Sequence, residues 1–228
     1  SSGKINEHKQ AIENLMHDKK NKYWDKYYGN IKDIAENDMP PSQFAAFCRT
    51  EVIQLKINQI IEIASGDGRD SIFFADQGLH ILAIDKSANA VELLKNKASL
   101  RSNLSVARVD AVNELLPKAP YANQACAYYA RFFIHTLDEE ELSKFFKNIA
   151  KVMRSSDYLF LEYRNIKDEN LEKVMPKHFR KFFESEFVNS IAEKNNLKCD
   201  YQVEGKGFAK WKFDDAFVTR QIFIKQVL

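Results

Sequence analysis

Cysteine is scarce in this chain of 228 residues: Cys48, Cys126 and Cys199 are the three, no two of them form a Cys-x-x-Cys pair, and one disulfide would leave a thiol over. That usage excludes a disulfide-stapled scaffold and favours a reducing, cytoplasmic setting. Metal ligation lacks support as well, since His8, His17, His80, His135 and His178 are scattered without ligand spacing. No apolar run approaches the length of a membrane span, and the amino end has no signal-peptide core. The 7 glycines and 5 prolines form no repeat, low-complexity tract or linker. An excess of either charge is missing too. With 34 basic and 32 acidic side chains the formal net charge is +2, so nothing global calls for nucleic acid or a membrane surface, and any preference for anions must be local. The length suits one sizeable domain with a full core and is short for two. Ser1-Ser2-Gly3 looks like the remnant of an expression tag and is set aside.

What is present is concentrated in Ile60-Ile61-Glu62-Ile63-Ala64-Ser65-Gly66-Asp67-Gly68-Arg69-Asp70-Ser71 and in Leu79-His80-Ile81-Leu82-Ala83-Ile84-Asp85. The order is that of a buried strand, a glycine turn, a helix and a second buried strand ending in a carboxylate. In a doubly wound sheet Asp85 then emerges beside the turn, where it could grip a ribose with two free hydroxyls. Gly66 and Gly68 lack a Cβ, which lets the backbone take positive φ and lie against a ligand. A dinucleotide turn would carry a third glycine and face a pyrophosphate. Here Asp67 and Asp70 would repel a polyanion but not a ligand with an ammonium group and a cationic sulfur. A nicotinamide dehydrogenase is disfavoured on that ground.

Apolar spacing predicts an amino-terminal helix over 5–28, with Ile5, Ile12, Leu15, Tyr23, Trp24, Tyr27 and Tyr28 on one face, lying over the sheet or its cofactor. Met39-Pro40-Pro41 breaks the chain, and Ser42 caps a helix through Phe44, Phe47 and Val52. Helix 67–77, strand 79–84, helix 87–99 and strand 104–109 follow at crossover spacing, which argues a parallel sheet. Asp138-Glu139-Glu140-Glu141 opens a helix through Met153, its carboxylates placed where the helix dipole favours them, and residues 158–163 form a fifth strand. The tail reads as a helix over 184–195 and strands over 197–203 and 217–227. Without room for a helix between them, these two must pair as an antiparallel hairpin joined by the loop 204–211.

The pattern Glu62-x-Ala64-x-Gly66-x-Gly68 resembles motif I of class I S-adenosylmethionine-dependent methyltransferases, with Ala64 where the first of three glycines usually stands. The resemblance runs on in order through Asp85-Lys86-Ser87, Asp110-Ala111 and the strand 126–131. It implies that Asp85 binds both ribose hydroxyls, with Lys86 and Ser87 beside it. It further implies that Asp110 receives the adenine amino group, that the Ala111 amide reaches the ring, and that Tyr129 and Ala130 face the methyl group. The fold it implies is α/β: a doubly wound, seven-stranded, mostly parallel sheet with the last strand antiparallel. A helical lid over 4–54 would cover the cofactor site of a methyltransferase domain over 55–228. The implied cofactor is S-adenosyl-L-methionine, leaving as S-adenosyl-L-homocysteine.

Fold and donor do not fix the acceptor. The D/N-P-P-Y segment with which many relatives bind a planar amine is absent after the fourth strand; Arg131 and His135 stand there instead. They suit an anionic or hydroxyl acceptor, with His135 able to take a proton near neutral pH. A histidine merely bonded to backbone is the alternative. Arg164, Lys206 and Lys210 extend the basic rim as substrate ligands, whereas Lys177-His178-Phe179-Arg180-Lys181 reads as a solvated face. Together with Trp24-x-x-Tyr27-Tyr28 and Pro41-Ser42-Gln43-Phe44-Ala45, this pattern is similar to the methyltransferase domain of bacterial enzymes that cap O-antigen chains by methylating a terminal phosphate or sugar. That similarity implies that Tyr27, Tyr28 and Gln43 close over the cofactor, that the acceptor is a saccharide or phosphosaccharide, and that the chain associates peripherally with polysaccharide assembly proteins. It leaves open whether the chain is free-standing or an excised domain. Two alternatives remain. Gly68-Arg69-Asp70-Ser71 and Asp85-Lys86-Ser87 also resemble detoxifying methyltransferases of the tellurite and thiopurine type, which lack a comparable basic hairpin. The chain could also be a non-catalytic cofactor-binding module.

Overall fold

The computed structural model describes residues 2–30, 40–168 and 183–228. Its centre is β1 (Gln59–Ile63), every residue of which is buried. An unbroken apolar run of this kind belongs to a strand covered on both faces by helices. β2 (His80–Asp85) and β4 (Cys126–Arg131) flank it in parallel, Ile61 standing opposite both Leu82 and Tyr128. β3 (Leu104–Arg108) and β5 (Tyr158–Arg164) extend the parallel ladder on the two sides. At the carboxyl end β6 (Leu197–Gly205) and β9 (Val218–Lys225) pair antiparallel, and β9 inserts between β5 and β6. The sheet order is β3-β2-β1-β4-β5-β9-β6, the seven-stranded, mostly parallel arrangement with a reversed final strand that the sequence implied.

The crossovers are α3 (Arg69–Asp76), α4 (Ala88–Ala98), α5 (Glu139–Val152) and α6 (Ser185–Glu193), with α2 (Gln43–Gln54) on the face of α3. Their starts follow local chemistry. Ser42 accepts the Ala45 amide, Ser87 the Ala90 amide, and Asp138 forms a reciprocal capping box with Glu141. One core layer packs α5 and α6 on the sheet through Phe145, Phe146, Ile149, Val188 and Phe223; the other packs α2, α3 and α4 through Phe44, Phe74, Leu94 and Tyr129.

Two expectations change. The amino-terminal helix is present as α1 (Ser2–Asn30), but Leu15 and Met16 are exposed and Lys20 is buried. Among the described residues its contacts with the domain include polar ones: Lys20 donates to Glu141 Oε1 (2.8 Å) and the Thr136 carbonyl (2.8 Å), Lys86 donates to Asn21 (2.7 Å), and Asn89 to the Asp25 carbonyl (2.9 Å). Loop 204–211 ends in a small ribbon, β7 (Lys210–Trp211) against β8 (Asp214–Asp215), too short to leave a period-two signature. The basic run 177–181 lies outside the described residues. Among the described residues no helix is long and apolar enough to cross a membrane.

Candidate active site

A crevice of about 680 Å³ opens at the carboxyl ends of β1, β2 and β4, where the strand order reverses. The turn after β1 makes its floor. Ala64 (φ +54°) and Gly66 (φ +58°) bend the backbone back on itself, and the Gly66 amide donates to Asp85 Oδ2 (2.9 Å) while the Ser87 amide donates to Oδ1 (2.8 Å). Two backbone donors thus hold the carboxylate at the end of β2; burial, only partly offset by these bonds, raises its pKa. Gly68 takes the positive φ expected of it (+84°), and a Cβ there would fall 2.1 Å from the flexible end of Leu94, but the residue is not on the crevice wall.

Glu62 is the other acid of the floor. Ser71 donates to its Oε1 (3.1 Å), but Oε2, buried in the crevice wall, has no hydrogen-bond partner among the described residues. Burial first, and then the nearby Asp70, push its pKa well above the usual carboxylate range. On the β3 side stand Val109, Asp110, Ala111 and Val112. Asp110 accepts the Val112 amide (2.9 Å) and the Asn113 side chain (3.0 Å). Burial would raise this carboxyl, but these bonds and the charge of Lys86 outweigh it and hold it low. Lys86, lowered by burial and by Lys20, joins Trp24 and Lys20 of α1 in roofing this end. Ser87 sits behind the wall, where it caps α4 and donates to Asp25 (2.5 Å).

The β4 end is built on paired charges. Tyr129 donates to Asp70 Oδ2 (2.6 Å), which also accepts the Ser42 hydroxyl (2.6 Å), tying β4, α2 and α3 together. Burial and Asp70 raise the phenol, so it stays a donor. Ala130 points into the core. Arg131 reaches the wall but gives its Nε to Glu162 Oε1 (3.1 Å), whose Oε2 takes Nε of Arg220 (2.7 Å). Phe132, at φ +55°, lies under the guanidinium groups of Arg131 (3.8 Å) and Arg164 (5.4 Å). Arg164 is in the wall as well, and its Nε has no hydrogen-bond partner among the described residues. It is 4 % exposed and bonds Asp168 (2.6 Å) and Asp214, since a guanidinium this deep must be neutralised by the chain itself. His135, in a short 3-10 turn (Ile134–Thr136), also lines the crevice, and its Nδ1 accepts the Arg164 amide (3.1 Å). A neutral ring so held carries its proton on Nε2 and donates there; the expected base role requires that bond to break.

Lys206 and Lys210 do not reach the wall. The hairpin loop enters through Ala209, Trp211, Lys212 and Asp214 instead. Gln43, expected on the cofactor, fastens this loop: its Nε2 donates to the Gly207 carbonyl (3.1 Å) and its Oε1 accepts the Lys210 amide (2.6 Å). The side chains of Tyr27 and Tyr28 lie outside the described residues. Glu162, Trp211 and Lys212 escaped the sequence reading. Of these only Glu162 left a signal, a lone charge in an apolar strand, which demands a buried partner.

Residues 60–156 match the family described as a methyltransferase domain. No curated protein matches the chain. Among solved structures, a S-adenosylmethionine-dependent methyltransferase from Clostridium acetobutylicum ATCC 824 superimposes with a TM-score of 0.65 at 11% identity, over 89% of this chain and 98% of its own. Magnesium protoporphyrin IX methyltransferase from Synechocystis PCC 6803, solved with bound S-adenosylhomocysteine, gives 0.62 at 15% identity, over 81% and 83%. A TehB-like methyltransferase from Corynebacterium glutamicum ATCC 13032 gives 0.61 at 12% identity, over 90% and 98%. At such identities the likeness is one of fold.

Proposed function

With a methyltransferase domain over residues 60–156 as the premise, we propose that this chain transfers the methyl group of S-adenosylmethionine to an oxygen of a saccharide or phosphosaccharide, in the synthesis of bacterial surface polysaccharide. The observation that carries the donor assignment is the acidic floor: a buried Glu62 with an unpartnered oxygen, beside Asp85, in a crevice at the switch point of the sheet. A polyphosphate would be repelled there, while an ammonium and a sulfonium complement it. Glu62 would meet the cationic end of the donor, Asp85 its ribose, and Asp110 with Ala111 its adenine. When bound, S-adenosylmethionine supplies a methyl group already activated by its positive sulfur.

What the chain adds is positioning. Tyr129 and Phe132 fix the wall at the end of β4, while the Trp211 loop covers the acceptor side and excludes water. With Nδ1 of His135 engaged by the Arg164 amide, a neutral ring has no lone pair left to act as a base, which favours a phosphate or another acidic oxygen over a hydroxyl that needs one. Calorimetry with S-adenosylhomocysteine, followed by mass spectrometry after incubation with labelled S-adenosylmethionine and phosphorylated oligosaccharides, tests this reading. Binding lost in Asp85→Ala and label on an acceptor oxygen are the expected results. Failure of the wild-type chain to bind S-adenosylhomocysteine would overturn the donor assignment, and label found only on nitrogen or sulfur acceptors would overturn the acceptor.

A further inference from the structure

The cations in the crevice wall differ in how far their charge is already spent. Lys20 is paired with Glu141, Arg131 with Glu162, and Arg164 with Asp168 and Asp214. Arg69 donates to the Pro40 carbonyl and lies over the Trp211 ring (4.8 Å). Lys86 is half-buried and donates to Asn21 at the adenine end. Lys212 alone among these stands exposed at the mouth with no hydrogen bond or ion pair to any described residue, its ammonium resting 5.5 Å from the Trp211 ring. The acid nearest to it in sequence on the wall, Asp214, is taken up by Arg164.

Backbone conformation singles out the same residue. Trp211 stands opposite Asp214 across the ribbon, so Lys212-Phe213 is a two-residue turn. Lys212 has φ +52° at the first central position, where such turns ordinarily use glycine. Of the five non-glycine residues with positive φ among those described, Ala64, Phe132 and Lys212 line the crevice, and only Lys212 brings a charge. Strain of this sort persists at functional sites because the side chain it presents is needed there. Lys56, exposed and at φ +55° away from the crevice, shows that the strain marks a site only where the residue also lines one.

We propose that Lys212 is the acceptor-reading cation of the crevice, a subsite for a phosphate or carboxylate borne by the acceptor, with Trp211 forming the apolar wall beside it. The proposal rests on reading the crevice as a methyl-transfer site and replaces Lys206 and Lys210 in the anion-binding role. Both phosphate and carboxylate offer the oxyanion that a lysine ammonium holds as a point charge. Neutral sugars would gain nothing from it.

The test titrates the full chain, with and without saturating S-adenosylhomocysteine, against mannose 1-phosphate, glucuronate and inorganic phosphate, with neutral mannose as the control. Lys212→Gly relaxes the turn while removing the charge. It should therefore fold at least as well as wild type, judged by an equal or higher Tm. We expect it to lose at least tenfold in affinity for the anionic sugar that wild type prefers, and to keep S-adenosylhomocysteine affinity within twofold; Lys212→Arg should keep anion affinity within about threefold. Equal binding of the anionic sugar by wild type and Lys212→Gly, or no binding of any of the three anions by wild type at millimolar concentration, would overturn the proposal. Loss of S-adenosylhomocysteine binding in wild type would instead count against the donor assignment, and the titrations without it still decide the role of Lys212.

Discussion

Ala64 occupies a conformation that suits glycine better. A left-handed alanine is strained by roughly 1–2 kcal/mol, while glycine adds freedom to the unfolded chain, so Ala64→Gly should stabilise the protein by up to about 1 kcal/mol in urea titration. Glu62 works in the opposite sense. Its folded pKa lies above its unfolded one, so its contribution to stability is fully present below about pH 4.5 and is lost as the pH rises through the folded value. Glu62→Gln should accordingly raise the Tm of the ligand-free protein at pH 7 and weaken the binding of S-adenosylhomocysteine. Binding of that ligand's ammonium group should expel a proton from wild-type Glu62, visible as a buffer-dependent heat that vanishes in the glutamine variant. Glu162 is buried between Arg131 and Arg220, and removing it strands both charges. Glu162→Ala should cost about 3–5 kcal/mol, read from the denaturation midpoint.

Among the elements, α5 owes its start to local sequence and α1 owes its place to tertiary contacts. Asp138→Ala removes one half of a reciprocal cap and should cost about 1 kcal/mol by thermal unfolding. The loop leading to the ribbon β7–β8 is anchored at several points: Gln43 holds two of them, Arg220 donates to the Phe208 carbonyl (2.7 Å), and Asp215 of β8 accepts the Gly207 amide (2.7 Å). Gln43→Ala should therefore loosen the acceptor wall alone. The expected outcome is a raised KM for the acceptor with S-adenosylhomocysteine affinity unchanged, whereas a role on the cofactor would lower that affinity too.

Over the whole molecule, the crevice sorts charge along its length. Glu62, with one unpartnered oxygen, and Asp85, held by two backbone amides, gather beneath the switch point, while on the acceptor side Arg131 and Arg164 are matched by Glu162, Asp168 and Asp214, and Lys212 stands at the mouth. The sequence by itself determined the alternation of strands and helices, the reversed final strand, and the acids at the ends of β1, β2 and β3. Each of these rests on local periodicity, a turn or a cap, and interactions of that kind reach only a few residues along the chain. Tertiary structure decided which basic residues are free. Arg164 lies between Asp168, four residues on, and Asp214 of β8, and Arg131 shares Glu162 with Arg220; apart from Asp168 these partners come from different strands and meet only when the sheet closes. A charge brought out of water takes the nearest opposite charge that the fold delivers, and that neighbour is set by topology rather than by spacing in sequence.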